Sequence, residues 1–157
     1  ATTLGWLWGA AGCGAFTSTV FLATRKTVSG LIAAVVSGVV ISAVALLVFG
    51  ATTRLPLALA AMVALGFGIS VCNVGINMIL QSSAPEQLRG RIVSFFTSAR
   101  FGFDALGGLV AGFLAAPLGA GNTLLAEGVV LLGFAIFLST RRYQLAALVS
   151  ESTTAKN

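Results

Sequence analysis

Histidine is absent from this 157-residue chain, and it has only two cysteines and one tyrosine. Without histidine, a histidine proton relay is excluded and a zinc site is left almost no ligands. Cys13 and Cys72 both sit inside apolar segments, so a disulfide framework is not expected. Charge is scarce as well. Nine Lys and Arg and four Asp and Glu make up 8% of the residues, where an average soluble protein has roughly 25%. Apolar residues reach 57% and mean hydropathy is +1.02. Too few charges exist to build the polar shell of a water-soluble fold, so the chain is read as an integral membrane protein. The net charge of +5 does not imply a nucleic-acid partner. Its basic residues lie in short clusters between apolar runs, which is how cytoplasmic membrane flanks are marked. Alternating strand patterns are missing too, which excludes a transmembrane β-barrel. The first residue is Ala1 rather than an initiator methionine, and an apolar run follows with no charged leader. The expectation is a piece of a longer protein.

Five apolar stretches are present, at about 4–23, 28–49, 56–80, 92–116 and 124–138. Each approaches the ~20 residues that a helix needs to cross ~30 Å of hydrocarbon. The fold class expected is all-α, a polytopic membrane protein of five transmembrane helices. A bundle over 1–143 and a cytoplasmic tail over 144–157 is the expected division. Between the third and fourth spans lies the polar loop from Gln81 to Arg91, where Ser83 and Glu86 have the spacing of a capping box.

Orientation follows from the basic residues. If the first helix runs inward, the cytoplasmic side receives Arg25, Lys26, Arg89, Arg91, Arg141, Arg142 and Lys156. The outer side receives Arg54 alone, and Arg100 falls within the fourth span. This asymmetry places the amino end outside and the carboxyl end in the cytoplasm, in an inner (plasma) membrane. Trp6 and Trp8 then lie at the outer interface and Tyr143 at the inner one, as aromatic belts require.

The spans are not alike. The second carries nothing more polar than serine and can face lipid. In the third, Gly66, Ser70, Asn73, Asn77 and Gln81 recur at steps of four, three, four and four, so they share one helical face. Amides in hydrocarbon are costly without a partner or water. Two readings stand: interhelical hydrogen bonds, or the lining of a pathway. In the fourth span Thr97, Arg100, Asp104, Gly108 and Ala111 share a face. Asp104 lies thirteen residues past Arg91, about 20 Å deep at 1.5 Å per residue. A lone charge there costs about 2.5–3.5 kcal/mol even on the lenient insertion scale. Arg100 and Asp104 are spaced to pair along the helix. The pair is either a neutral packing device or part of a substrate-binding and proton-coupling pathway. Glu127 stands near the outer end of the last span, where its side chain can snorkel to water. Gly5 with Gly9 and Gly108 with Gly112 form two G-x-x-x-G motifs, expected at helix crossings. The glycine-rich spans run in opposite directions beside bland neighbours, as in an inverted three-helix repeat whose first member precedes Ala1.

These residues resemble a known family. The run Gly9 to Ala15, followed by Phe21 to Val28, resembles the eighth helix and following loop of major facilitator superfamily exporters. The stretch from Asn77 through Leu80-Gln81 to Pro85-Glu86-Gln87-Leu88-Arg89-Gly90-Arg91-Ile92 is similar to the signature between helices ten and eleven of the enterobactin-exporter-like branch, the transmembrane secretion effectors. Gly107 to Gly112 is similar to that branch's eleventh helix. The resemblance implies helices eight to twelve of a twelve-helix secondary transporter with two rocking halves, commonly proton-coupled. It further implies an N-terminal half as partner, a small-molecule substrate and no cofactor. The loop after Arg25-Lys26 lacks the acidic residue of the superfamily's full gating motif.

The leading expectation is a proton-coupled exporter of siderophore-like or drug-like molecules. A small membrane scaffold that binds partner helices through its polar faces is the alternative. A membrane enzyme is disfavoured, since no nucleophile–base set, metal cluster or phosphate loop is visible.

Overall fold

The computed structural model describes residues 2–25 and 27–154. Five helices follow one another: α1 (Thr2–Ala23), α2 (Val28–Ala51), α3 (Leu55–Ser83), α4 (Arg89–Leu118) and α5 (Ala120–Thr154). All five are long and apolar enough to cross a membrane. Their ends obey local chemistry. Thr27 caps α2 by accepting a hydrogen bond from the Gly30 N–H at 3.3 Å. Pro56 sits in the first turn of α3, where no intrahelical N–H bond is lost.

Two boundaries differ from expectation. The Ser83–Glu86 capping box does not cap a helix: Ser83 is the last residue of α3, and a 3-10 turn over Glu86–Leu88 follows Pro85 without a side-chain cap. Leu88 N–H instead bonds the Pro85 carbonyl at 3.0 Å, and the turn runs straight into α4. The last helix starts at Ala120 and continues to Thr154 rather than ending near Leu138. No proline or glycine follows Gly133, so nothing in that stretch stops the helix. Residues 155–157 of the expected tail lie outside the described residues.

Between α4 and α5 a single residue reverses the chain. Gly119 has φ 80°, a backbone state that a Cβ would strain. Its N–H bonds the Ala115 carbonyl, and the Thr123 hydroxyl and N–H return to the Gly119 carbonyl at 3.0 and 3.1 Å.

Packing sorts the helices into a core and an outlier. α3 packs between α1 and α2, and α2 carries α5 on another face. Leu22, Leu31, Ala34 and Val71 from three helices form the buried cluster, with Phe21 and Phe67 stacked tilted at 5.6 Å beside it. The close crossings fall on glycines outside the G-x-x-x-G motifs. A Cβ on Gly14 would strike the Val63 carbonyl, and one on Gly66 would strike the Ala11 carbonyl, so α1 and α3 meet backbone to backbone. Gly38 and Gly68 do the same for α2 and α3 beside the buried Ser42. Gly5, Gly9, Gly108 and Gly112, expected at crossings, have open space around them among the described residues. Small residues allow close approach; which ones are used depends on how the helices are rotated.

The outlier is α4. None of its residues is buried, and Phe95, Phe103 and Phe113 are 78%, 74% and 72% exposed. It leans on α3 and α5 instead of joining the core, which leaves a gap on each side.

Candidate substrate cleft

The gap between α3 and α4 is a cleft of about 450 Å³. From α3 it receives Asn73, Asn77 and Gln81, with Val74 and Met78 beside them. From α4 it receives Thr97 and Arg100, flanked by Phe96 and Phe101. The spacing explains the assembly. Asn73, Asn77 and Gln81 are four apart on one helix, and Thr97 and Arg100 are three apart on the other, so each set forms one stripe. The antiparallel connection through Glu86–Leu88 turns the stripes towards each other.

Within the cleft, Gln81 donates from Nε2 to Asn77 Oδ1 at 2.6 Å. Asn73 has no side-chain partner among the described residues. The Arg100 guanidinium carbon stands 4.6 Å from the centroid of the Phe101 ring, a cation–π contact that spares its N–H donors. Thr97 likewise keeps its hydroxyl, whereas Ser94, one turn earlier, donates to the Gly90 carbonyl at 2.9 Å.

The other expected positions divide. Gly66 belongs to the same α3 face but is taken up by the α1 crossing. Asp104 is exposed on α4 and does not line the cleft. Arg100 and Asp104 form no ion pair, so the anticipated pairing is not made. Geometry explains this. Arg100 lines the cleft facing α3 and lies over Phe101, while Asp104, one turn further along, is exposed outside it. Arg89, Gly90 and Arg91 are exposed in the first turn of α4. Two cations at a helix N-terminus oppose its dipole, so local helix stability does not account for them.

Two features escaped the sequence. Phe96 and Phe101 form cleft walls; each is adjacent to a polar residue of the stripe, and that flanking is the only signal they carried. Glu127 is half-buried and lines a second gap, of about 640 Å³, between α4 and α5. Val110, Leu114, Val130 and Phe134 make that groove apolar, and Leu46 of α2 contributes to it as well. Snorkelling to water is thus not its only surrounding, and periodicity gave no hint of the groove.

Comparison with known proteins is consistent with this architecture. The family model for the transmembrane secretion effectors matches residues 1–157. A curated relative, the multidrug efflux pump Tap of Mycolicibacterium fortuitum, is 31% identical over 144 residues. That match covers 90% of this chain and 35% of the pump, so the chain spans about a third of the length of the relative it matches. No solved structure gives a significant match. Five apolar helices, the Arg89-Gly90-Arg91 motif, which opens the fourth helix rather than lying in the loop expected before it, and a family match along the full length agree: the chain belongs to the transmembrane secretion effector family of the major facilitator superfamily.

Proposed function

We propose that this chain supplies helices eight to twelve of a twelve-helix secondary transporter that exports siderophore-like or drug-like molecules in exchange for protons. The observation that carries this reading is the cleft. Three amides, a hydroxyl and a guanidinium face a common gap inside spans that are otherwise apolar. The plainer use of such groups is hydrogen bonding between helices, and among the described residues it is not made. The one side-chain hydrogen bond at the site, Gln81 to Asn77, runs along α3. Polar groups held apart at this depth need water or a ligand.

Similarity to a multidrug efflux pump supports export as the direction. The remaining helices of such a transporter would cover the exposed phenylalanines of α4 and supply the opposite wall of the pathway. Basic residues concentrate at the Arg25 end of α1, the Arg89 end of α4 and at Arg141, which supports a plasma-membrane protein with a cytoplasmic carboxyl end. Asp104, exposed one turn beyond the cleft, is the group assigned to take up and release the coupled proton.

The test is transport by the complete protein in proteoliposomes under an imposed pH gradient, followed with a fluorescent drug-like dye. Asn73→Ala combined with Asn77→Ala should slow export at least about tenfold, the loss expected when charge-assisted or multiple hydrogen bonds to a ligand are removed. An unchanged rate would move the pathway away from this cleft.

A further inference from the structure

We infer that the α3–α4 cleft selects small molecules that carry an anionic, oxygen-rich group, with Arg100 as its specificity-determining residue. The inference rests on reading the cleft as a substrate pathway and adds what that pathway recognises.

The cleft presents one cation and several neutral hydrogen-bonding groups, with no anion in its lining. A guanidinium carries five N–H donors and no acceptor, and Arg100 uses only its π-facing surface, against Phe101. Asn77 Oδ1 accepts from Gln81 Nε2, and the two N–H donors of Asn77 have no partner among the described residues. Thr97 adds a hydroxyl with no intrahelical partner. No carboxylate balances them. Of the four acids, the three whose side chains are described, Glu86, Asp104 and Glu127, do not line the cleft.

Charge and shape therefore point the same way. One cation without a counter-ion, in a medium that screens poorly, attracts an anion and rejects an amine. The planar guanidinium fork favours carboxylate or phosphate oxygens in bidentate contact. Phe96 and Phe101 present aromatic surface beside it, suited to a flat or conjugated body attached to the anionic group. A volume of about 450 Å³ holds one such molecule. Arg100 stands eleven residues beyond Arg89, about 16 Å along α4. The same oxygen chemistry could come from a soluble ligand or from a lipid phosphate, and the experiment separates the two.

The complete transporter is purified into nanodiscs of phosphatidylcholine, and binding of 2-naphthoate and of its amine counterpart is measured by calorimetry. Naphthoate should bind at least about tenfold more tightly than the amine. Arg100→Gln should abolish that preference and Arg100→Lys should keep part of it. If Arg100→Gln does not fold, Asn77→Asp serves instead, since a carboxylate placed in the cleft should shift the preference towards the amine. A tighter amine, or a preference unaltered by Arg100→Gln or by Asn77→Asp, overturns the assignment. Loss of naphthoate binding when phosphatidylglycerol is added would give the site to a lipid headgroup and overturn it as well. Loaded vesicles test transport separately. Arg100-dependent binding without naphthoate export would sink the exporter reading and leave the anion site standing. Export that ignores Arg100 would do the reverse.

Discussion

Gln81 donates its side-chain N–H to Asn77 Oδ1 at 2.6 Å, one helical turn away. This bond takes one of the two lone pairs of Asn77 Oδ1 and leaves its N–H donors without a partner among the described residues. The same turn of α3 faces Arg100 of α4 across the cleft. A local, intrahelical contact thus orients two side chains of a site formed by two helices.

The loop between α3 and α4 should lie in the cytoplasm. In intact cells, a membrane-impermeant maleimide applied from outside should label Ala51→Cys and leave Gln87→Cys untouched. Both positions are exposed, so accessibility within the fold does not confound the comparison. The opposite labelling would reverse the topology.

Gly14 should be intolerant of any side chain. A Cβ there meets the Val63 carbonyl and the Phe67 N–H, which are backbone atoms of α3 and have little room to yield. Gly14→Ala should force α1 away from α3 and cost about 1–3 kcal/mol, as overpacking does. Gly133→Ala meets nothing within 4 Å and should leave stability unchanged or raise it slightly. Thermal unfolding in detergent distinguishes the two, and equal midpoints would refute the crossing.

Asp104→Asn should leave folded abundance near normal. Asp104 forms no ion pair with Arg100, so removing its charge strands no partner. If Asp104 carries the coupled proton, the same variant should bind substrate yet fail to export it against a gradient. A drop in abundance, restored by adding Arg100→Gln, would reveal a structural pair instead. Full uphill transport by Asp104→Asn would end the coupling role.

Arg91→Ala should reduce transport at normal membrane abundance. Arg91 is exposed in the first turn of α4, where its charge opposes the helix dipole, so its loss should not weaken the helix. Transport rate and abundance, measured on the same membranes, check this. An unchanged rate would leave Arg91 as a topological marker only.

The sequence alone was sufficient for the class of protein, the five helices and the polar stripe of α3. Those features follow from composition and from the 3.6-residue period, which are local properties. Asn73, Asn77 and Gln81 had to share a face whatever surrounded them, and so did Thr97 and Arg100. Tertiary structure decided the rest. Among the described residues it placed the crossings at Gly14, Gly66 and Gly68 and left Gly5, Gly9, Gly108 and Gly112 with nothing within 4 Å, because helix rotation, not motif, selects which small residue meets a neighbour. It separated Arg100 from Asp104, since pairing at i and i+4 competes with what a side chain finds across the interface: here the open cleft and Phe101. It also set Glu127 in an apolar groove. Spacing along one helix fixes which residues share a face, but the helix that the face meets is fixed only by the packing of the others.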